Sequence, residues 1–175
     1  MYIIDNIDTQ IINLLVDNGR ISCAEIARTI GNISERSVRY RLERMNAEGL
    51  FQITAVINTH LLGYSVVADV WLEVESDVIL DVAKKMTEYE CISYVACGIG
   101  EPDISVQVLA RDNAEVYRFV TEVIGKTPGV RKTTTSIVPV VLKDTHQWHI
   151  PSTHISNGIT DNISSPKFSR ESYGR

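Results

Sequence analysis

The sequence predicts an α+β protein made of two small units, a three-helix unit followed by a four-stranded sheet with two helices. The first observation is that residues 1–50 place apolar side chains at helical spacing three times in succession. The second is that the later part of the chain has short Val-rich segments that alternate with period two, separated by two further helical patterns. A chain of 175 residues has room for two such domains, and its 44% hydrophobic content excludes disorder throughout.

The first two helices have recognisable beginnings and ends. Asp5 is placed as the cap of the first helix, Asp8 follows three residues later, and Gly19 is positioned as the stop. Ser22 and Glu25 have the spacing of a capping box at the start of the second helix. The side chains at helical spacing, which we expect to be buried, are Ile7, Ile11, Leu14 and Leu15 in the first helix and Ile26, Ala27 and Ile30 in the second.

The third helix lies in the stretch ISERSVRYRLERMNAEGL, residues 33–50, which has four arginines in a chain of net charge −5. Val38, Leu42 and Met45 fall at the spacing of a buried stripe, and most of the arginines lie on the other sides of the helix. Arg41 is different, because a count of about 100° per residue puts it about 60° from that stripe. We expect Arg41 to pack its stem on the unit and to pair locally.

The arrangement of these three helices indicates what kind of molecule the protein binds. A short helix, a tight glycine turn and a second helix with an arginine-rich outer face form the helix-turn-helix arrangement, whose second helix enters the major groove of DNA. The acidic net charge does not exclude double-stranded DNA, because residues 1–60 hold six basic and seven acidic residues, whereas residues 61–142 hold seven and twelve. The candidate DNA contacts are Ser34, Arg36, Ser37, Arg39, Tyr40 and Arg44.

Two other classes of protein compete with this interpretation. A charged outer face can be merely the solvated side of an amphipathic helix, and the protein would then be a metabolite-binding oligomer that does not bind DNA. An enzyme is the other class, but the sequence shows no nucleophile with a base, no phosphate loop and no paired carboxylates in a recognisable context. We therefore predict a DNA-binding protein and not an enzyme.

After the helix-turn-helix domain of residues 1–50, the chain has the order β-α-β-β-α-β. LFQITAVIN alternates enough to be a strand, a wing or a connector, so residues 51–63 are predicted to be a connecting strand or linker. Residues 64–143 hold the β-α-β-β-α-β order of the ferredoxin-like fold, with Ser76 as the cap of its first helix. The side chains expected on the buried sides of its two helices are Ile79, Val82, Ala83 and Met86, then Val116, Phe119, Val120 and Val123.

The first strand of this sheet predicts a homodimer. Its apolar side chains alternate between the two faces: Val66, Ala68, Val70 and Leu72 on one, Val67 and Trp71 on the other. Both helices lie on one face in this topology, so the other apolar face needs a partner. Pro139 removes a ladder donor from the last strand, which suits the edge position that this topology gives it.

The chain also resembles a known family. The pattern IDNIDTQIINLL, NGRISCAEIA and SERSVRYRLERMNAEGL, followed by the βαββαβ unit, is similar to the Lrp/AsnC (leucine-responsive, feast/famine) transcriptional regulators over about residues 4–143. The resemblance implies that the second unit dimerises, that dimers assemble further into tetramers or octamers, and that an amino acid bound between subunits modulates DNA binding. The characteristic positions are Asp5, Asp8, Leu15, Gly19, Arg20, Ala27, Ser34, Val38, Arg41 and Gly49.

Two departures from the family pattern bear on function. The turn GNIS has one residue more than the usual Gly, apolar residue and Ser, an insertion that would rotate or shift the third helix. The family's effector loop reads Gly, any residue, an aromatic residue and Asp, whereas GEPD has Pro102 in the aromatic position, which would alter the pocket.

An amino-acid effector needs donors for its carboxylate and an acceptor for its ammonium group. Glycines allow close approach of the backbone, Glu101 or Asp103 could receive the ammonium group, and threonines of the last strand could supply hydroxyls. The alternative is that GIGEPD is only a tight hairpin. The candidate effector residues are Gly98, Gly100, Glu101, Asp103, Thr133, Thr134 and Thr135.

The C-terminal tail, residues 144–175, is predicted to be largely disordered, with Trp148 and Ile150 anchoring its beginning on the second unit or on a neighbouring subunit. We predict no cofactor and no metal site, because the histidines of the tail lack helical spacing and a nearby cysteine. The sequence has no apolar run of the ~20 residues that a membrane helix needs and no secretory signal, so we expect a cytoplasmic protein that does not bind membranes.

Overall fold

The computed structural model describes residues 3–151. The chain divides into two compact units, one formed by residues 1–55 and 143–175 as far as they are described, and one by residues 56–142. The start of the predicted tail therefore belongs to the first unit and not to the second, whereas the predicted alternative, anchoring on a neighbouring subunit, stays a prediction. Most of the predicted disordered tail, residues 152–175, lies outside the described residues.

The first unit contains three helices, as predicted: α1 (Asn6–Asp17), α2 (Cys23–Ile30) and α3 (Glu35–Ala47). The Asp5 carboxylate accepts from the Asp8 amide while the Asp8 carboxylate accepts from the Asp5 amide, so the capping box of α1 is present. Ser22 accepts from the Glu25 amide at the start of α2 without the reciprocal bond of a box. The buried apolar side chains of the unit are Ile11, Ile12, Ile26, Val38 and Met45.

The turn GNIS between α2 and α3, which is one residue longer than the family pattern, packs against the core of the first unit. Gly31 ends α2 with a φ of 85°, a left-handed conformation that favours glycine. Ile33 is partly buried against the core of the unit, and Ser34 then caps α3 by accepting from the Ser37 amide. The longer turn thus gives one apolar side chain to the core.

Of the two alternatives predicted for residues 51–63, a connecting strand or a linker, the structure shows no strand. Within the described part of the chain, residues 51–58 pair with no strand, and they lead into a short 3-10 turn at Thr59–Leu62. Ile53, Val56 and Ile57 are exposed, so the alternation of apolar residues here is not matched by a sheet face. Alternating residues form a strand only when a neighbouring strand satisfies their backbone, and none is adjacent here.

The second unit has the predicted βαββαβ order, and its four strands form one antiparallel sheet in the order β2-β3-β1-β4. The last strand lies at the edge, as predicted. The regular elements are β1 (Val66–Val74), α4 (Ile79–Thr87), β2 (Ile92–Cys97), β3 (Ile104–Ala110), α5 (Asn113–Arg118) and β4 (Val130–Val138).

The two helices cover one face of the sheet and depart from the prediction in detail. Ser76 does not cap α4, which begins at Ile79 after an N-cap residue, Val78, that makes no side-chain cap bond. The second helix is regular only over α5 and continues as a π-helical segment, Phe119–Val123, and then a 3-10 turn. A π-helical turn takes up more residues than an α-helical one, which shifts the buried positions after it. The fully or nearly buried side chains of this segment are Val116, Val120 and Ile124, whereas Val123 is only partly buried.

The other face of the sheet is less apolar than predicted. Asp69 and Glu73 alternate with Val67 and Trp71 on this side of β1, so our expectation of two apolar faces is wrong. The Asp69 carboxylate accepts a hydrogen bond from Gln107 Nε2 at 3.1 Å, across the β1–β3 pair. The homodimer remains a prediction, with a mixed surface as its candidate interface. Among residues 3–151, no helix has the length and apolar composition needed to span a bilayer.

Candidate nucleic-acid interface and effector hairpin

The outer side of α3 presents the predicted DNA-binding side chains to solvent. Arg36, Arg39, Tyr40 and Arg44 are exposed, Tyr40 to 62%, whereas Val38 and Met45 on the opposite side are completely buried. The two buried side chains fix the rotation of the helix about its axis, because turning it would expose them to water. The structure therefore gathers these four side chains on one exposed ridge, which we call the α3 ridge.

Three of the predicted contacts, Ser34, Ser37 and Arg39, already have partners in α3 or at its cap. Arg39 Nη2 lies 3.0 Å from Glu35 Oε1, and at least half of the surface of each side chain is exposed. Such an exposed pair contributes little, roughly 0.3 to 0.5 kcal/mol, so a phosphate can displace it. Ser34 accepts from the Ser37 amide, and their hydroxyl oxygens are 2.9 Å apart. Both serines lie at the N-terminal end of α3, the end from which a recognition helix contacts bases.

Arg41 of α3 turns toward its own unit. Its Nη1 donates to Asp5 Oδ2 and Asp8 Oδ1, both at 2.7 Å. Only 1% of the surface of Asp8 is exposed, so this guanidinium pairs with a buried carboxylate. The sequence predicted that Arg41 pairs locally but not with which residue; the burial of Asp8 was missed, since a first-turn acid at a capping-box position is usually exposed.

The pairing at the start of α1 shifts the pKa values of Arg41 and Asp5. Hydrogen bonds from Arg41 to Asp8 and Asp5 raise the pKa of Arg41 above its ordinary value. Partial burial alone would raise the pKa of Asp5, but hydrogen bonds from the Asp8 amide and from Arg41 outweigh it and lower that pKa. Asp5, Asp8 and Arg41 line a surface groove of about 590 Å³ together with Arg36 and other residues of the α3 ridge. Because the single guanidinium of Arg41 bridges the two carboxylates and offsets one unit of charge, they repel an approaching phosphate less than they would without it.

In the second unit, the predicted effector loop is a hairpin between β2 and β3 that its own residues hold together. The Gly98 amide donates to the Asp103 carbonyl at 2.8 Å, and a Cβ at Gly98 would lie only 3.0 Å from the Pro102 carbonyl oxygen. Gly100 has a φ of 99°, which favours glycine. The geometry of the hairpin alone therefore explains glycine at both positions. This agrees with the alternative that GIGEPD is only a tight hairpin and needs no ligand. Glu101 is exposed at the tip.

Asp103 connects the hairpin to the central strand. Its carboxylate accepts from the Val74 amide at 2.7 Å, and its own amide donates to the Leu72 carbonyl at 3.0 Å. Arg131 Nη2 lies 4.0 Å from the same carboxylate. An ammonium group would have to share Asp103 with these donors. Arg131 was missed by the sequence analysis, although a cation two residues before Thr133 on the same strand is a visible signal.

The structure places the three threonines at the hairpin end of the sheet but does not bring them together. Leu72 lies opposite both Ile104 and Thr133, so β4 is two strand spacings, about 10 Å, from the end of the hairpin. Directly paired residues point to the same face. Thr133 and Thr135 therefore point to the helix side with Leu72 and Val70, and Thr134 to the open side with Trp71. One ligand cannot use all three hydroxyls from one face.

Potential metal ligands do not converge either. Within residues 3–151, no group of three or more His, Cys, Asp or Glu side chains is placed to hold a metal ion. His149 contacts Asp17, and His146 contacts Asp144. His154 lies outside the described residues.

Comparison with known proteins agrees with this arrangement. The family model of the AsnC-type helix-turn-helix domain matches residues 4–46, and that of the Lrp/AsnC ligand-binding domain matches residues 67–148. An uncharacterized HTH-type transcriptional regulator of Pyrococcus abyssi is 36% identical over 141 residues, covering 80% of this chain and 89% of that protein. The HTH-type transcriptional regulator FL11 of the same organism is 32% identical over 148 residues, covering 84% and 97%.

A solved structure shows the same fold. The transcriptional regulator NMB0573 of Neisseria meningitidis, in complex with L-Met, matches with a TM-score of 0.79 at 21% identity, over 87% of this chain and 99% of that one. The predicted fold class is confirmed by these matches, and so is the prediction of a regulator instead of an enzyme. On these grounds, the chain belongs to the Lrp/AsnC family of transcriptional regulators.

Proposed function

We propose that this regulator reads double-stranded DNA with the α3 ridge. The contacts are Arg36, Arg39, Tyr40 and Arg44, with Ser34 and Ser37 at the start of the helix. The observation that carries the proposal is that the four ridge side chains are exposed while Val38 and Met45 of the same helix are completely buried. A guanidinium can donate two hydrogen bonds to guanine or to a phosphate, and Arg41 is bonded to Asp5 and Asp8, the acids of the groove that ridge residues also line.

DNA affinity of single-alanine variants tests this assignment. The probe is a labelled fragment of the chain's own upstream DNA, titrated at several salt concentrations. We expect Arg36→Ala, Arg39→Ala or Arg44→Ala to weaken binding by about tenfold or more where the arginine contacts a base, and to lower the salt slope by about one where it contacts a phosphate. The matched control is Arg118→Ala, an exposed arginine of the second unit. Unchanged affinity and slope in all three ridge variants would refute the ridge as the DNA-binding surface.

We also infer that the second unit takes a small amino acid as an effector at the hairpin end of the sheet. Arg131 offers a cation for the carboxylate, Glu101 an exposed acceptor for the ammonium group, and Thr134 a hydroxyl on the open side. Gly98, Gly100 and Asp103 would shape the loop, and Thr133 and Thr135 lie on the other face. Support comes from the family's ligand-binding domain model and from the L-Met complex of the Neisseria neighbour.

A thermal-shift panel of the twenty amino acids at millimolar concentration tests the effector. We expect at least one to stabilise the intact chain, and Arg131→Ala to abolish that shift. Arg118→Ala again serves as the arginine control. No stabilisation by any amino acid would remove the effector proposal and would leave DNA binding untouched.

Assembly follows from the open face of the sheet. We infer a homodimer that buries Val67, Trp71 and the Asp69–Gln107 pair, with tetramers or octamers as further assemblies, acting on DNA in the cytoplasm. Light scattering on the intact chain at micromolar concentration gives the mass directly, and a monomer would contradict the inference. The exposed ridge gives no support to the alternative of an oligomer without DNA binding.

A further inference from the structure

Residues 149 and 150, near the end of the described part of the chain, contact the first helix. Asn13 lies on α1, and its side chain makes two hydrogen bonds with the backbone of Ile150: Nδ2 donates to the carbonyl at 3.1 Å, and Oδ1 accepts from the amide at 2.8 Å. The neighbouring His149 Nε2 lies 2.9 Å from Asp17 Oδ1. Asn13 and Asp17 are four residues apart and so occupy the same face of α1.

Apolar packing accompanies these polar contacts. Ile150 is partly buried against the core of the first unit, the core that also holds Ile11 and Ile12 of α1. A two-bond contact from one amide side chain to one peptide fixes both the direction and the register of a segment. The contact is therefore specific for residue 150, and it is not a general adhesion of an apolar chain end.

The segment that leads to this contact also has a defined structure. A 3-10 turn at Thr145–Gln147 has a capping box, in which Asp144 accepts from Thr145 and the Asp144 amide donates to Gln147 Oε1 at 3.0 Å. Hydrogen bonds from Thr145 lower the pKa of Asp144 and keep it charged as the cap. Upstream of this turn, the chain is the direct continuation of β4, the strand that carries Thr133, Thr134 and Thr135.

We propose that His149 and Ile150 form a clasp on α1, which makes the C-terminal segment a second covalent connection, besides residues 51–63, between the effector strand β4 and the DNA-binding unit. The matched part of the family's ligand-binding model ends at residue 148, just before the clasp. The clasp holds α1, and α1 in turn holds Arg41 of α3 through Asp5 at its cap and Asp8. Its role in coupling an effector to DNA rests on the proposed function, whereas its hold on α1 does not.

Hydrogen exchange of α1 tests the clasp without DNA or effector. Two truncations form a matched pair: a chain that ends at Gln147 lacks the clasp, and a chain that ends at Pro151 keeps it. We expect the amides of α1 to exchange about tenfold faster in the first truncation and at the full-length rate in the second. The rate in β1 of the second unit reports that each variant has folded.

Point variants of the full chain sharpen this experiment. We expect Asn13→Ala to accelerate exchange in α1 as the shorter truncation does, and His149→Ala to do so less, because its contact is exposed. Asn46→Ala, an exposed asparagine on α3, is the control and should leave α1 unchanged. Equal exchange in the two truncations, or in Asn13→Ala and Asn46→Ala, would overturn the clasp.

The same chains separate this proposal from the proposed function. We expect the chain ending at Gln147 to bind the upstream DNA fragment a few-fold more weakly than the chain ending at Pro151, because α1 positions α3 through Arg41. Absence of DNA binding by the intact chain would refute the proposed function while the exchange result still decides the clasp. Equal DNA affinity of the two truncations would overturn the connection between the clasp and DNA binding.

Discussion

The three-helix unit buries five apolar side chains together with Asp8 and Thr9, whereas the sheet unit buries fourteen apolar side chains and, among residues 3–151, no polar one. The sheet fixes its geometry by its backbone ladders, which set the register of every pair of strands. Three short helices have no such ladder between them. The first unit instead uses caps and the Asp5–Asp8–Arg41 cluster to set how α1 meets α3.

Because of this difference, we expect the two units to be destabilised by different kinds of substitution. Loss of apolar volume should be most costly in the sheet unit, where the largest core lies. Loss of a charge should be most costly in the first unit, where one carboxylate is buried with its partner. The following predictions test this contrast, beginning with the largest expected effect.

Leu72→Ala should destabilise the sheet unit by about 3 kcal/mol, because it removes a completely buried side chain from the central strand. Hydrogen exchange of β1 and β3 amides measures the effect, and exchange of α3 should stay at the wild-type rate. Leu80→Ala is the matched control, since that leucine of α4 is 66% exposed. Equal effects of the two variants would contradict the apolar core as the source of stability.

Arg41→Ala should destabilise the first unit by about 2 kcal/mol, because it leaves the buried Asp8 carboxylate without its cation. We place the value below the usual range for a broken buried pair because Arg41 itself is 29% exposed. Exchange of α1 and α3 amides measures it. Arg28→Ala, an exposed arginine of α2, should change little. If β1 lost protection as well, the cluster would not be specific to the first unit.

Thr9→Val should stabilise the first unit by about 1 kcal/mol. The Thr9 hydroxyl is buried without a hydrogen-bond partner in the described part of the chain, and valine has nearly the same shape. Thr29→Val on the exposed side of α2 is the control. A loss of stability in Thr9→Val would show that the hydroxyl has a partner, and thermal unfolding of the two variants decides this.

Acid should weaken the first unit through Asp5, with the smallest effect of the four. Its pKa is lowered in the folded state, so the unfolded chain binds more protons in the acid range. The contribution is complete above about pH 4, the ordinary pKa of aspartate, and is lost as the pH falls through the lower folded value. Asp5→Asn keeps a good helix cap without the charge. Exchange of α1 between pH 5 and pH 3 should therefore change less in Asp5→Asn than in the wild type; an equal change would exclude Asp5 as the cause.

The parts of the structure that were predicted correctly depend on neighbours within four residues. Asp5, Ser22 and Ser34 cap the helices that their positions predicted, and the order of strands and helices followed from their periods. The errors arose where a local pattern needed a distant partner. Residues 50–58 alternate as a strand does but have no neighbouring strand, and the run after Arg118 is helical in pattern but widens into a π-helical turn.

The candidate sites also differ in whether the sequence could predict them. The exposed ridge of α3 could be derived from the spacing of Val38 and Met45, because a helix puts each side chain at a fixed angle. The faces of Thr133 to Thr135 could not, because they depend on which residues of β1 lie opposite them.

By itself, the sequence determined the caps of the first three helices, the order of helices and strands along the chain and the exposed arginines of α3, since these depend on chain periodicity and on bonds between close neighbours. Only the tertiary structure decided which groups meet across the chain: Arg41 with Asp8 over 33 positions, Asp103 with Val74 over 29, and Ile150 with Asn13 over 137. The physical reason is that hydrogen bonds and ion pairs act over a few ångströms, so their partners are fixed by where the fold brings the chain together and not by separation along it.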